Sequence, residues 1–218
     1  MITHFYLAFS DDQGLSEDDV TYLLMLAENS PKIVGEHQTG GDYATGDEIR
    51  DSTICWIHDE RAYEMLKHFI ATANNLCGWH YDASKIEGIQ VASYKPGQHY
   101  NWHIDGDSDH HAAKKLLPAD RELPILINET KDSIFEGLVR KITIVVQLSD
   151  GDEYEGGDLY LARPPKDGRL DIHGETLSQF RKKGTVIVFP SYIRHKVDPV
   201  SKGIRRSAVA WVNGPPFK

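Results

Sequence analysis

Cysteine, basic charge and long apolar runs are all scarce in this sequence of 218 residues. The two cysteines, Cys55 and Cys77, are too few for a disulfide framework and lack the spacing of a zinc cluster. No stretch approaches the roughly 20 apolar residues of a membrane span, and the N-terminus lacks the basic region of a signal peptide. We therefore expect a protein of the reducing cytoplasm that has no membrane partner.

The balance of charge is acidic. Lysine and arginine number 24 against 33 aspartates and glutamates, which gives a net charge of −9 at pH 7. Sequence-independent binding to nucleic acid needs clustered basic residues, and the short run Arg181-Lys182-Lys183 is too small to provide them. We therefore expect no nucleic-acid partner.

Two amphipathic helices are predicted in the first third of the chain. Ser16 precedes an acidic first turn and an apolar face that ends near Asn29. Asp59 begins a second helix through about Leu76, and Gly78 terminates it. Helices with one apolar face pack against another element, so we expect both to cover one face of a β-sheet.

Short alternating segments separated by turn residues follow from Ile86 onward. They predict a mainly β protein with flanking helices (α+β), built as a double-stranded β-helix, or jelly roll, of two antiparallel sheets. We expect a single domain over 1–218, with a helical N-terminal part over 1–85 and a jelly-roll core over 86–213. The predicted strands are Ser52–Ile57, Ile89–Tyr94, Tyr100–Asp105, Lys141–Leu148, Asp158–Ala162, Arg169–Ile172, Thr185–Phe189, Arg194–Val197 and Arg205–Val212.

Two segments do not fit the strand pattern. Gly35–Asp51 is rich in Gly, Asp and Thr and is predicted to be a loop. Residues 106–140 form a connection too long for a simple turn in a compact domain. We interpret 106–140 as a lid-like insertion that binds substrate; an ordinary surface loop is an equally good interpretation.

The motif His103-x-Asp105 is a candidate metal-binding pair. In a β-strand these two side chains point to the same face, and they supply two thirds of the two-His-one-carboxylate triad that leaves open positions on non-haem Fe(II). The motif alone is weak evidence, because such pairs also occur as surface or cap residues. His99, His110 and His111 are poorer candidates, since His99 lies four residues along the strand from His103 and the other two lie in the insertion.

His195 is the candidate third ligand, although a buried histidine with ordinary hydrogen bonds is the alternative for this position alone. A predicted turn over Asp198–Gly203 would return the chain as a hairpin, with Arg205 roughly opposite His195. Alternation would place Arg205, Ser207, Val209 and Trp211 on one face. An inward arginine needs an anion, either an acidic residue of the chain or a dicarboxylate such as 2-oxoglutarate, whose keto acid end can chelate iron.

Several motifs together resemble the 2-oxoglutarate- and Fe(II)-dependent dioxygenases of the prolyl 4-hydroxylase type, and most closely the bacterial PKHD-type hydroxylases. The resemblance covers roughly residues 86–213 and includes the same interval between the second histidine and the arginine; Arg50-x-Ser52 ahead of Trp56 extends it loosely. The motifs are Tyr94-x-x-Gly97, Tyr100-x-x-His103-x-Asp105, Arg140-x-x-Thr143, Leu148-Ser, Tyr154-x-Gly156-Gly157-Asp158-Leu159, Gly184-Thr-Val-Ile-Val-Phe-Pro190, His195, Pro199-Val200, Gly203-x-Arg205 and Trp211.

The resemblance implies roles for individual side chains. His103, Asp105 and His195 would be the catalytic iron ligands. Arg205 would bind the distal carboxylate of 2-oxoglutarate. The remaining implied contacts are Tyr94, Thr143 and Gln147 with the cosubstrate, and Trp211 and Tyr100 with the substrate.

One position departs from the family. Many prolyl hydroxylases carry a tyrosine where this chain has Gln147, which leaves open the second partner of the distal carboxylate. Tyr100 and Ser207 are the alternatives to Gln147 for that contact.

The implied activity is hydroxylation of an amino acid side chain, with proline in a peptide as the preferred substrate, coupled to decarboxylation of 2-oxoglutarate to succinate and CO2. The implied cofactors are Fe(II), 2-oxoglutarate and O2, with ascorbate as an optional addition. Lysine, arginine, a free amino acid or another small metabolite would suit the same iron centre as substrate. The alternative from another class is a non-catalytic jelly-roll binding module, in which Arg205 forms an ordinary ion pair.

Overall fold

Fifteen β-strands and two α-helices form the part of the protein that a computed structural model describes, namely residues 4–35, 49–106, 135, 137–163 and 173–217. The strands, numbered β1 to β15, are Leu7–Phe9, Ile33–Val34, Arg50–Asp51, Thr53–Ile57, Lys85–Ile86, Ile89–Tyr94, His99–His103, Val139–Gln147, Tyr154–Gly156, Leu159–Leu161, Glu175–Thr176, Val186–Pro190, His195–Val197, Val200–Gly203 and Arg205–Gly214.

Both helices begin where the sequence predicts. Helix α1 comprises Glu17–Glu28 and helix α2 comprises Glu60–Leu76. Ser16 and Asp59 cap them, each accepting a hydrogen bond from the backbone N–H three residues later, at 3.2 and 2.9 Å. Among the described helices, none is both long enough and apolar enough to cross a membrane.

The strands form two large antiparallel sheets and one small one. The major sheet has the order β1-β12-β8-β15-β6-β4-β2, with β5 paired to β15, and the minor sheet has the order β11-β10-β13-β7-β3. Strands β9 and β14 pair separately. The predicted jelly roll of two antiparallel sheets is confirmed.

The major sheet has an apolar cluster on each face. Leu66 and Phe69 of α2 pack with Ile144 of β8 on the outer face, which confirms that the helices cover one sheet. Leu161 of the minor sheet and Phe189 of the major sheet belong to the second cluster, between the two sheets. Any charged group that points between the sheets therefore leaves water for an apolar interior.

Strand β15 follows the predicted alternation. Ala208, Ala210 and Val212 belong to the cluster under the helices, whereas Val209 packs against the cluster between the sheets. Arg205 lies an even number of residues from Val209, so it shares the inner face.

The predicted hairpin of His195 with Arg205 is wrong. Strand β13, which begins with His195, pairs with β10 and β7 in the minor sheet, whereas β15 pairs with β6 and β8 in the major sheet. The predicted turn contains a strand of its own, Val200–Gly203, which pairs with β9. Gly203 has φ +74°, and an added Cβ there would lie 2.1 Å from the Glu153 carbonyl, so the chain crosses between sheets at a glycine.

The N-terminal third contributes more β-structure than the prediction of a helical part implies. Arg50–Asp51, predicted as the end of a loop, forms β3 and pairs with β7 through Arg50 and Tyr100. Two-residue strands have no periodicity from which to recognise them. The predicted strand at Arg169–Ile172 lies outside the described residues. The predicted insertion over 106–140 also lies outside them, except for residues 106, 135 and 137–140.

The cap of α2 provides a test of this arrangement. Asp59 also accepts a hydrogen bond from the Tyr22 hydroxyl of α1 at 3.2 Å, so its carboxylate joins the two helices. We expect Asp59→Ala to lower the free energy of unfolding by about 1–2 kcal/mol, measured by urea denaturation. Asp59→Asn keeps a capping oxygen and should lose much less; equal losses for the two variants would contradict the capping role.

Candidate metal centre

Three candidate ligands meet between the sheets. His103 is the last residue of β7, His195 is the first residue of β13, and the two are direct partners in the antiparallel register. Asp105 follows β7 by two residues. The ligand atoms of all three lie within 4.8 Å of one another, and the residues are 8, 6 and 7 % exposed, respectively. The structure therefore brings together the three side chains that the sequence analysis selects.

Backbone carbonyls orient both imidazoles. His103 Nδ1 lies 2.7 Å from the Asn101 carbonyl oxygen, and His195 Nδ1 lies 2.9 Å from that of Ile193. A proton on each Nδ1 leaves Nε2 for a metal, and a ligating histidine commonly donates its other N–H in this way. The two Nε2 atoms lie 3.6 and 3.3 Å from the Asp105 carboxylate.

The charges of this cluster depend on one another. Burial would raise the pKa of Asp105, but His195, His103 and Arg140 together lower it well below its ordinary value. Burial would lower the pKa of His195, but Asp105 raises it above its ordinary value. Asp105 is therefore an anion and attracts positive charge to the position that the two Nε2 atoms face.

The donor set fits a divalent transition metal. Two neutral imidazoles and one carboxylate form the facial triad of non-haem Fe(II) sites, with positions left open for other ligands. No second group of three such donors occurs among the residues that the structure describes. His99 does not join the cluster, while His110 and His111 lie outside the described residues.

Arg205 is buried on the major sheet, 1 % exposed. Its Nη1 donates to Ser207 Oγ at 3.1 Å and its Nη2 to Gln147 Oε1 at 3.2 Å, while its buried Nε has no hydrogen-bond partner among the described residues. Within the described residues, no carboxylate forms an ion pair with it. A buried guanidinium with only neutral partners fits an anionic ligand, because an unpaired charge in this setting is costly.

Two neighbours complete the surroundings of Arg205. Tyr94 of β6 is its partner in the sheet, with the ring centroid 5.6 Å from the guanidinium carbon. Gly157, which has φ +63°, lies beneath it, and an added Cβ would be 3.1 Å from Arg205 Cδ. Any larger residue at position 157 would therefore press on the arginine side chain.

Tyr100 and Trp211, the candidate substrate contacts, both lie against cationic side chains. The Tyr100 ring stacks on His103 at 3.5 Å, and Arg50 lies 4.5 Å from the centroid of the same ring. Arg140 lies 4.0 Å from the centroid of Trp211. Burial raises the pKa of the Tyr100 phenol, so this hydroxyl stays protonated as a donor.

Thr143 contacts the carboxylate of the candidate triad. Its hydroxyl donates to Asp105 Oδ2 at 2.8 Å and lies 3.0 Å from Ser191 Oγ. The structure thus associates Thr143 with the carboxylate of the triad. Sequence reasoning missed Ser191 entirely, because a serine in a Phe-Pro-Ser run gives no sign of a metal site.

The ion pair between Arg140 and Glu87 was also not predicted from the sequence. Glu87 accepts two hydrogen bonds from Arg140, both at 2.7 Å, and a third from Asn213 at 2.9 Å. Arg140 Nη1 in turn donates to the backbone carbonyl of Asp105 at 3.1 Å. This ion pair joins the loop that carries Asp105 to the major sheet.

We expect Glu87→Gln to lower the free energy of unfolding by about 2–4 kcal/mol, because it removes the carboxylate that forms the bidentate ion pair with the largely buried Arg140. Chemical denaturation would measure this loss. The matched control is Glu155→Gln, which removes the carboxylate from an exposed pair with Lys202 of similar length, 2.9 Å. The control should cost less than about 1 kcal/mol, and a similar loss in both variants would contradict the importance of burial.

Known proteins resemble this chain in both sequence and fold. The sequence model of the 2OG-Fe(II) oxygenase superfamily matches residues 89–213. A PKHD-type hydroxylase of Xylella fastidiosa (strain M12) is 31 % identical over 119 residues, which is 55 % of this chain and 41 % of that protein. The chain thus aligns with about two fifths of the length of this relative.

Two solved structures have the same fold. A viral collagen prolyl hydroxylase from Paramecium Bursaria Chlorella virus-1, in complex with 2OG, has a TM-score of 0.56 at 20 % identity and covers 97 % of each chain. A prolyl hydroxylase from Trichoplax adhaerens, in complex with a peptide fragment of the hypoxia inducible factor oxygen degradation domain, has a TM-score of 0.56 at 18 % identity and covers 96 % of this chain and 84 % of that one. The family model matches more than half of the residues of this chain, so the chain belongs to the 2OG-Fe(II) oxygenase superfamily.

Proposed function

We propose that the protein is an Fe(II)- and 2-oxoglutarate-dependent dioxygenase that hydroxylates an amino acid side chain. The observation that carries the proposal is the combination of a buried His103, Asp105 and His195 cluster with Arg205, a buried cation without a carboxylate partner among the described residues. One group suits a metal and the other suits a carboxylate. A ligand that chelates metal at one end and carries a carboxylate at the other would satisfy both.

The protein groups have separate tasks in this proposal. His103, Asp105 and His195 hold the metal, and Arg205 binds the distal carboxylate of 2-oxoglutarate. Gln147 and Ser207, which already contact the Arg205 guanidinium, orient it for this purpose. A bound Fe(II) would supply the redox chemistry by which O2 hydroxylates a C–H bond while 2-oxoglutarate is converted to succinate and CO2.

Tyr94, Tyr100 and Trp211 would shape the cavity. Tyr94 lies beside Arg205 and would contact the cosubstrate, whereas Tyr100 lies on the ring of the ligand His103 and would face the substrate. The burial of all three metal ligands keeps bulk water from the reacting centre, which protects reactive states from side reactions.

A prolyl residue in a peptide is the substrate that we propose. The relatives supply the support, since two of the solved structures are prolyl hydroxylases and one of them holds a peptide. Fold similarity alone does not determine the substrate. Another side chain, a free amino acid or a small metabolite are the other outcomes of a substrate screen, while the use of ascorbate and a cytoplasmic location stay predictions from the sequence.

Anaerobic titration tests the cofactor assignment. Adding Fe(II) and 2-oxoglutarate to the protein should produce the weak visible charge-transfer band of a chelated keto acid. His103→Ala should abolish metal binding, whereas Arg205→Ala should keep the metal and weaken 2-oxoglutarate binding by about a hundredfold or more, because a buried charge pair is lost. Arg206→Ala is the matched control, since its side chain lies on the opposite face of β15.

The result that would overturn the proposal is a folded protein that gives no band at saturating Fe(II) and 2-oxoglutarate. Metal binding without any effect of 2-oxoglutarate would instead favour the non-catalytic binding module. Equal loss of metal and of 2-oxoglutarate in Arg205→Ala would contradict the division of tasks.

A peptide library tests the proposed substrate. We expect proline-containing peptides to gain the mass of one oxygen in a reaction that also forms succinate, with fragmentation placing the oxygen on proline. Hydroxylation of a different residue would refute the substrate and leave the cofactor assignment standing, because succinate would still accompany it.

A further inference from the structure

We propose that Thr143 and Ser191 are positioning residues that hold the Asp105 carboxylate so that a single oxygen, Oδ1, binds the metal. This inference rests on the proposed function, because it concerns the same metal centre. The inference does not make either hydroxyl a metal ligand. Both would act through the carboxylate that is.

The direction of the hydrogen bonds follows from counting protons. Thr143 has one hydroxyl hydrogen, and its bond to Asp105 Oδ2, at 2.8 Å, uses it because an ionised carboxylate can only accept. The 3.0 Å contact between Thr143 Oγ1 and Ser191 Oγ must therefore be donated by Ser191. The result is a relay in which Ser191 donates to Thr143 and Thr143 donates to Asp105.

Burial makes this relay strong and specific. Thr143 and Ser191 are both 0 % exposed, so no bulk water competes for either hydroxyl. Hydrogen bonds in series polarise one another in such surroundings, and the last bond, to a charged oxygen, is the strongest kind. The relay thus holds Oδ2, and with it the whole carboxylate, in one orientation.

The backbone of Ser191 secures the other side of Asp105. Its carbonyl oxygen accepts from the N–H of Asp105 at 3.0 Å and from the N–H of Gly106 at 3.2 Å, and its own N–H donates to the Lys141 carbonyl at 3.0 Å. Ser191 therefore fixes both the main chain and, through Thr143, the side chain of the same ligand. A rotation of the carboxylate would break the relay.

The two carboxylate oxygens consequently differ. Oδ2 accepts the Thr143 hydrogen bond and lies 3.3 Å from Nε2 of His195, whereas Oδ1 lies 3.6 Å from Nε2 of His103 and has no hydroxyl contact among the described residues. A carboxylate that bound through both oxygens would occupy one more metal position than a carboxylate bound through one. A keto acid that chelated a bound metal through two atoms would share the open positions with O2 or water, so a carboxylate that occupied a second position would compete with these ligands.

The test compares hydroxyl deletions by two binding measurements without turnover. Mn²⁺ binding, followed by the loss of the free-ion paramagnetic resonance signal, reports the metal site. The charge-transfer band at saturating Fe(II) reports 2-oxoglutarate. We expect Thr143→Val to weaken Mn²⁺ binding on the order of tenfold, as removal of an outer-shell partner does, and to weaken 2-oxoglutarate binding even at saturating metal.

Three further variants distinguish positioning from packing. Thr143→Ser restores the hydroxyl and should recover most of both affinities, and Ser191→Ala should give a smaller loss because its backbone contacts remain. The matched control is Thr185→Val, since Thr185 is 1 % exposed and its hydroxyl has no hydrogen-bond partner in the part of the chain that the structure describes. The control should bind Mn²⁺ and 2-oxoglutarate as the unmodified protein does.

Unchanged affinities in a folded Thr143→Val, or equal losses in Thr185→Val, would overturn the inference while the unmodified protein still showed its charge-transfer band. An unmodified protein that bound no metal would overturn the proposed function as well. If Thr143→Val does not fold, as judged by circular dichroism, Ser191→Ala decides the question by the same two measurements.

Discussion

The cost of burying charge inside the jelly roll governs how this site is built. An unpaired charge in an apolar interior is strongly unfavourable, so each ionised side chain there needs partners. Asp105 has two imidazoles and the Thr143 hydroxyl, and Arg140 has Glu87. Because hydrogen bonds are directional, the contacts that offset burial also orient the candidate ligand atoms. Stability of the charges and geometry of the metal centre therefore have the same physical origin.

Two buried arginines differ in the partners that compensate their charge. Arg140 forms a bidentate ion pair with Glu87 and donates a hydrogen bond to the backbone carbonyl of Asp105, so its role is structural. Among the described residues, Arg205 donates hydrogen bonds only to the amide oxygen of Gln147 and the hydroxyl of Ser207. In the proposed function, the anion that neutralises its charge is the distal carboxylate of 2-oxoglutarate. The distinction lies in the partners and could not be read from the identity of the residue.

The sequence correctly predicted the features that depend on a periodic pattern of residues. Alternation in β15 correctly placed Arg205 inside, and His103 and Asp105 do share a site. It failed where a long-range pairing decides the outcome: the Val200–Gly203 strand finds its partner in β9, so His195 and Arg205 lie on different sheets. It also missed Ser191, whose contribution combines a backbone carbonyl with one hydroxyl. Neither feature leaves a periodic or compositional trace.

Because the two parts of the candidate site lie on different sheets, a ligand that bound both would affect how the sheets hold together. His103 and His195 belong to the minor sheet, whereas Arg205 belongs to the major sheet, and between them lies mainly an apolar contact. A molecule held at one end by the metal and at the other by Arg205 would tie the two layers together. Ligand binding would then stabilise the folded state by mass action, and amide hydrogens in strands of both layers would exchange more slowly. The cosubstrate would be consumed in each reaction, so every turnover would also release and renew a cross-link within the fold.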